Sequence, residues 1–109
     1  MATGRLGVAD LAATTYTTLY TVPADTFTVA TISLCNRGAT AVNVRIAVTT
    51  TGGPSAPANE EFIEYDVQLS AKGTLERTGI VLDAGKIISV YASAVNVSAV
   101  TYGIETSTI

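Results

Sequence analysis

The sequence predicts an all-β chain folded as an antiparallel β-sandwich. Three observations carry this reading. Apolar residues recur at every second position along most of the chain, which is the period of a half-buried strand. Clusters of Gly, Pro, Asn and Asp interrupt them at short intervals. Thr and Ser stand where charged side chains usually would, and charged residues make up only 14%, against about 25% in ordinary globular domains. β-branched Thr suits a pleated, half-buried surface. A chain of 109 residues, 48% of them hydrophobic, has the length and apolar content for one core without disulfide staples.

The elements follow in order. Residues 1–13 carry Gly4 and Gly7 and few apolar side chains, Leu6, Val8 and Leu11. They show no strand alternation, and "VADLAATT" has at most the character of a short helical turn. This segment reads as an N-terminal arm, with the sandwich domain at 14–109. The arm is expected to be dispensable for folding and to order on a neighbouring copy. Tyr16–Val22 alternates and stops at Pro23-Ala24-Asp25. Thr26–Asn36 is a long strand. Ala41–Val48 sends Val42, Val44, Ile46 and Val48 one way and Asn43, Arg45 and Ala47 the other.

Between these two strands, Asn36, Arg37 and Gly38 have the chemistry of a tight turn, so Leu34–Val48 reads as a hairpin with Arg37 at its solvent-exposed tip. Thr49–Glu61, with two Gly and two Pro, is the longest loop. Phe62–Leu69 places Ile63, Tyr65, Val67 and Leu69 on one face and Glu64, Asp66 and Gln68 on the other. Thr74–Leu82 contains Gly79 as a bulge or bend. Ile87–Ser93 and a last strand from about Val97 to Glu105 complete seven strands. Seven short strands suggest an immunoglobulin-like sandwich, with a jelly roll or small barrel as the alternative. The Cys–Trp–Cys core of antibody domains is absent, since the chain has one Cys and no Trp.

The composition argues against most chemistry. Net charge is −3, and the six basic residues, Arg5, Arg37, Arg45, Lys72, Arg77 and Lys86, are scattered. No basic run exists to neutralise several phosphates, so no nucleic-acid partner is expected. A chain without His and with one Cys lacks the usual ligands of zinc and the base of a catalytic thiol. Cys35 reads as a small buried hydrophobe. Glu60, Glu61, Glu64 and Asp66 cluster without a calcium-loop spacing, and they read as a solvated face. No phosphate-loop, dinucleotide or nucleophile-elbow motif occurs. The chain therefore reads as non-enzymatic, with no catalytic, metal or cofactor site. No apolar run approaches a membrane span, and the N-terminus lacks a signal-peptide pattern. Five tyrosines, Tyr16, Tyr20, Tyr65, Tyr91 and Tyr102, fall in expected strands. Their first reading is cross-strand packing. In a glycan-binding adhesin, the alternative function, Tyr16, Tyr20 or Tyr91 would present ring faces to sugars near Gly52–Ala58.

At "TTLYTVP", "CNRGATAVNVRIAV", "FIEYDVQL" and "GIVLDAGKIISVYAS" the chain resembles small virion structural proteins of tailed bacteriophages, frequent in marine and cyanobacterial phages. The resemblance runs from Thr14 to about Ile104 and is most specific from Cys35 to Val48. It implies a part of the virus particle; with the low charge, the hydroxyl-rich faces and the absent chemistry, the expectation is a multi-copy, homo-oligomeric component of the particle exterior, made in the host cytoplasm, whose partners are itself and other virion proteins. A tail, baseplate or fibre station is favoured over capsid decoration, because long edge strands stack through symmetric contacts. The resemblance brings no functional residues with it.

Overall fold

A computed structural model of the chain describes residues 2–109. Eight strands fill it: β1 (Thr3–Leu11), β2 (Thr17–Thr21), β3 (Thr26–Asn36), β4 (Val42–Thr49), β5 (Phe62–Leu69), β6 (Thr74–Leu82), β7 (Ile87–Ala92) and β8 (Val97–Ser107). They form two antiparallel four-stranded sheets: sheet A in the order β1-β8-β3-β6 and sheet B in the order β2-β7-β4-β5.

The order has a simple origin. β1 pairs with β8, β2 with β7, β3 with β6 and β4 with β5. The chain is thus one long two-stranded ribbon, closed at the β4–β5 turn and rolled so that successive pairs fall in opposite sheets. The β3–β8 and β4–β7 ladders then join the pairs within each sheet. This is the pairing scheme of a jelly roll. The seven-stranded immunoglobulin-like arrangement gives way to it because residues 3–11, expected as an arm apart from the sandwich, are an edge strand. Met1 lies outside the described residues.

The core lies between the sheets. Alternate residues of the central strands supply it: Ala30, Ile32 and Leu34 from β3, Val42, Val44 and Ile46 from β4, Ile88 and Val90 from β7, Val97 and Ala99 from β8. Leu82 and Leu69 close it along β6 and β5, and Leu11 and Leu19 along β1 and β2. Each is at most 6% exposed, so the apolar surface between the sheets is withdrawn from solvent.

Leu34–Val48 is not a hairpin. β3 belongs to sheet A and β4 to sheet B, so Arg37–Ala41 is a corner between sheets. The alternation is the same in both cases, because it records which face of a strand is buried and not which strand lies beside it. Asn36, fully buried, makes the corner. Its amide Nδ2 donates to the carbonyl oxygens of Thr40 (2.8 Å), Leu69 (3.2 Å) and Ser70 (3.2 Å). Its Oδ1 accepts from the Gly38 N–H at 2.9 Å. Its own N–H donates to Gly73 O, and the Arg37 N–H donates to Asn96 O. One side chain thereby ties the β3–β4 and β5–β6 corners, and the adjacent backbone ties β7–β8.

Arg37 is exposed at this end and pairs with Asp10 of β1 (2.5 Å). Cys35 points to the outer face of sheet A and is half-buried. It is not the fully interior hydrophobe that the sequence suggested, because its inward neighbours are Leu34 and Asn36.

Every ladder irregularity lies in an edge strand. β1 has an extra residue at Leu6, β2 at Leu19, β6 at Thr78-Gly79, and β5 at Ile63 and again at Tyr65-Asp66. Gly79 adopts φ +67°, the left-handed region that glycine reaches without a Cβ penalty. The β3–β8 and β4–β7 ladders run without interruption. Glu64 of β5 and Arg77 of β6 pair at 2.8 Å, linking the edges of the two sheets. Bulges and charges of this kind blunt sheet edges against further strand addition.

Two outcomes test this description. Asn36→Ala leaves buried carbonyls and the Gly38 N–H without partners. It is expected to cost about 2–4 kcal/mol in urea denaturation, whereas Arg37→Ala, which removes only a surface pair, is expected to cost under about 1 kcal/mol. Comparable losses in the two variants would contradict the corner. Deleting residues 1–11 exposes the β8 edge and the pocket of Leu11, and is expected to abolish cooperative thermal unfolding. A truncated chain with unchanged circular dichroism and melting would restore the arm reading.

Candidate functional site

The outer face of sheet B carries a cluster of aromatic side chains around one arginine. It is a row laid across the sheet: Tyr16 just before β2, Tyr91 on β7, Arg45 on β4, and Tyr65 with Asp66 on β5. Arg45 is its centre. Its guanidinium carbon lies 4.2 Å from the Tyr65 ring centroid and 4.5 Å from that of Tyr91. Nε donates to Asp66 Oδ1 at 2.6 Å and Nη2 to Oδ2 at 3.2 Å. Nη1 donates to the Tyr16 hydroxyl at 2.6 Å. The planar fork of arginine suits this use, since it stacks between rings while its edge meets a carboxylate in two bonds. The Asp66 bonds are the main reason the Arg45 pKa lies above its ordinary value. Arg45 in turn holds the Asp66 carboxyl below the usual carboxylate range.

The β5 bulge assembles this cluster. Between the pairs Val44–Val67 and Ile46–Glu64, both Tyr65 and Asp66 stand opposite Arg45. Asp66 takes φ +52°, a conformation that Asp tolerates better than most residues. Two consecutive side chains therefore reach the same arginine, which an unbroken strand forbids. Strict alternation sends Tyr65 inward with Ile63 and Val67. In the fold Tyr65 is 57% exposed, and the expected grouping of Glu64 with Asp66 is undone: Glu64 meets Arg77 and Asp66 meets Arg45.

Residues 50–61 wall one side. Glu61 Oε1 accepts from Thr49 Oγ1 (2.7 Å) and from the Ala58 N–H (2.8 Å), closing the loop at its base. These bonds lower the Glu61 pKa. The Gly53 N–H donates to Thr18 Oγ1 on the far edge strand (2.9 Å). Gly53 approaches β2 so closely that a Cβ there would stand 2.4 Å from Tyr16 O. The loop thus spans sheet B from β4 to β2. Ala47 and Ser89, on the outer face of that sheet, are buried. Ser89 Oγ has no hydrogen-bond partner among the described residues.

Beyond the loop an open depression of about 360 Å³ is lined by Asn59, Phe62 and Tyr65. The Phe62 and Tyr65 rings meet edge to face, 5.0 Å between centroids and 85° between planes. Tyr16 lies 4.8 Å from Tyr91 and 6.1 Å from Phe62.

Of the tyrosines singled out in the sequence, Tyr16 and Tyr91 belong to this cluster. Tyr20 does not. It is buried on the inner side of sheet B, where its hydroxyl donates to Glu105 and bonds Thr28 (2.9 Å), joining β2 to strands of sheet A. Tyr102 lies on the outer face of sheet A and donates to Glu76. Arg45, Asn59, Phe62, Tyr65 and Asp66 were not singled out as binding residues. The signal for Arg45 was available, as the one charge on the outward stripe of β4. No sequence signal marked the bulge. Among the described residues no group of three His, Cys, Asp or Glu side chains has metal-binding geometry, and no helix is long and apolar enough to cross a membrane.

Burial, followed by the bond to Glu105, pushes the Tyr20 phenol up from 10.0 to about 12. The unfolded chain releases this proton near pH 10 and the folded chain near 12. The stability it contributes is therefore complete below pH 10 and lost as pH rises to 12. Tyr20→Phe is expected to flatten the fall in melting temperature over that interval. An equal slope in both proteins would assign the alkaline loss to other groups. No family model matches the chain, and neither a curated protein nor a solved structure matches it.

Proposed function

We propose that the chain is a non-enzymatic structural subunit of a tailed-bacteriophage particle, present in many copies and packed against itself through the outer face of sheet A. The observation that carries this reading is that face. Val29 lies between Val81 of β6 and Ile104 of β8 in the ladder. Their exposures are 41%, 70% and 55%, and Phe27 and Val8 on the same face are 37% and 54% exposed. A monomer that exposes apolar side chains in register across adjacent strands loses free energy to water, and such patches mark interfaces. Phe27, Val29, Val81 and Ile104 adjoin in the ladders without an intervening charged residue, so two copies of this patch meet without buried charge, and Glu76 and Arg5 lie further along the same face. A second copy is the occupant that matches it.

The sequence resemblance supplies the particle. The edge-stacking argument for a tail, baseplate or fibre station over capsid decoration loses its basis, because all four edge strands are bulged. The reading here is of a subunit packed face to face.

Sedimentation of the purified chain is expected to show a homo-oligomer, and mass spectrometry of purified virions to find the chain at high copy. Val29→Asp with Val81→Asp, at positions already open to water, is expected to give a folded monomer. A wild-type monomer at micromolar concentration, or virions lacking the chain, would overturn the reading.

A further inference from the structure

We infer that the depression beside the arginine–tyrosine row on sheet B is a binding site for a neutral pyranose sugar. The inference stands apart from the assembly reading, since it concerns the opposite face of the sandwich.

A pyranose offers an apolar C–H face ringed by hydroxyls that both donate and accept. Its site needs an exposed ring face beside polar groups with unused hydrogen-bonding capacity. The depression has both. Phe62 and Tyr65 line it with their rings at 85°, and Tyr65 is the most exposed aromatic residue of the cluster, at 57%. Asn59 stands at its rim with an amide that makes no hydrogen bond within the described residues. It offers two donors and an acceptor. Next to Tyr65 in the chain, the Asp66 oxygens each accept one bond from Arg45 and retain lone pairs, with the side chain 41% exposed.

The parts are also held in place. Arg45 clamps Tyr65 and Asp66 at once, so the ring and the carboxylate are presented without loss of rotamer freedom on binding. The positive φ of Asp66 that puts them together is a local backbone cost offset only by this arrangement, as is common at binding sites.

Other ligand classes fit less well. A quaternary ammonium would need an aromatic cage around its own charge, and here the cationic Arg45 takes one face each of Tyr65 and Tyr91, leaving only the other face of the exposed Tyr65 ring for a ligand. An acidic sugar would find the guanidinium of the cluster, Arg45, already paired with Asp66. A proline-rich peptide needs an elongated groove with successive aromatic slots. This depression, about 360 Å³, is a single bowl near the lower limit of small-ligand sites.

The test uses the full chain on an array of neutral and acidic glycans, with saturation-transfer difference NMR on lactose, maltose and cellobiose. Binding to neutral glycans is expected, with signal on the C–H face of the bound ring. Tyr65→Ala, at an exposed position, is expected to weaken it roughly tenfold or more with melting little changed. Asn59→Ala, which touches no core residue, is expected to weaken binding as well and serves if Tyr65→Ala does not fold. An array blank for neutral glycans, a preference for acidic glycans or proline-rich peptides, or unchanged affinity in a folded variant would overturn the inference. Loss of self-association in the sheet A variants leaves glycan binding intact, so the two readings fail separately.

Discussion

The buried amide of Asn36 is the interaction on which this architecture leans hardest. Rolling a two-stranded ribbon into a sandwich forces every connection except β4–β5 to cross between sheets. Each crossing turns backbone carbonyls and N–H groups away from any ladder, and those near the core must find partners. At one end of the molecule Asn36 supplies them. Its two amide protons are shared among the carbonyls of Thr40, Leu69 and Ser70, and its oxygen takes the Gly38 N–H. No other residue type of that size offers two donors and an acceptor together; Thr has one donor, Asp would set a carboxylate against three carbonyl oxygens, and Leu would satisfy none of them. The cysteine beside it, more conspicuous in the sequence, faces outward and ties nothing.

Much of the fold was legible in the sequence. β3, β5 and β6 have the limits read from alternation and turn residues, and β4, β7 and β8 agree to within two residues. Most of what failed, failed for one physical reason. In β1, Leu6 and Leu11 both pack on the core, although five residues apart they should face opposite ways. The bulge at Leu6 shifts the parity between them, and the strand looks patternless. In β2 the neighbours Leu19 and Tyr20 are both buried, again across a bulge. In β5 the same device turns Tyr65 outward. Period-two reasoning found edge strands β2, β5 and β6 as well as the central ones, but it misassigns which way residues face across a bulge, and edges are where bulges are placed. The corner at Asn36–Ala41 is a different case. Nothing local distinguishes it from a hairpin, since its distinguishing bonds run to Leu69, Ser70 and Gly73, far along the chain.

The candidate site was less legible than the fold for related reasons. Its rings come from the stretch before β2 and from β5 and β7, and the arginine that unites them from β4. The bulge that completes it leaves no mark in the sequence. The two outer faces have become different surfaces. Sheet A carries an apolar patch at one end of its outer face, Phe27, Val29, Val81 and Ile104, with the Tyr102–Glu76 bond further along; sheet B is polar, aromatic and partly roofed by residues 50–61. With the edges blunted, the faces are what remain for contact, and the account assigns self-packing to one and ligand contact to the other.

That division is most directly tested by an electron-microscopy map of the assembled chain. The account requires Phe27, Val29, Val81 and Ile104 to be covered by a neighbouring copy, with Tyr65, Asn59 and Arg45 open to solvent. A map in which copies join edge to edge, or in which the neighbour seals the Tyr65 depression and leaves sheet A bare, would contradict it.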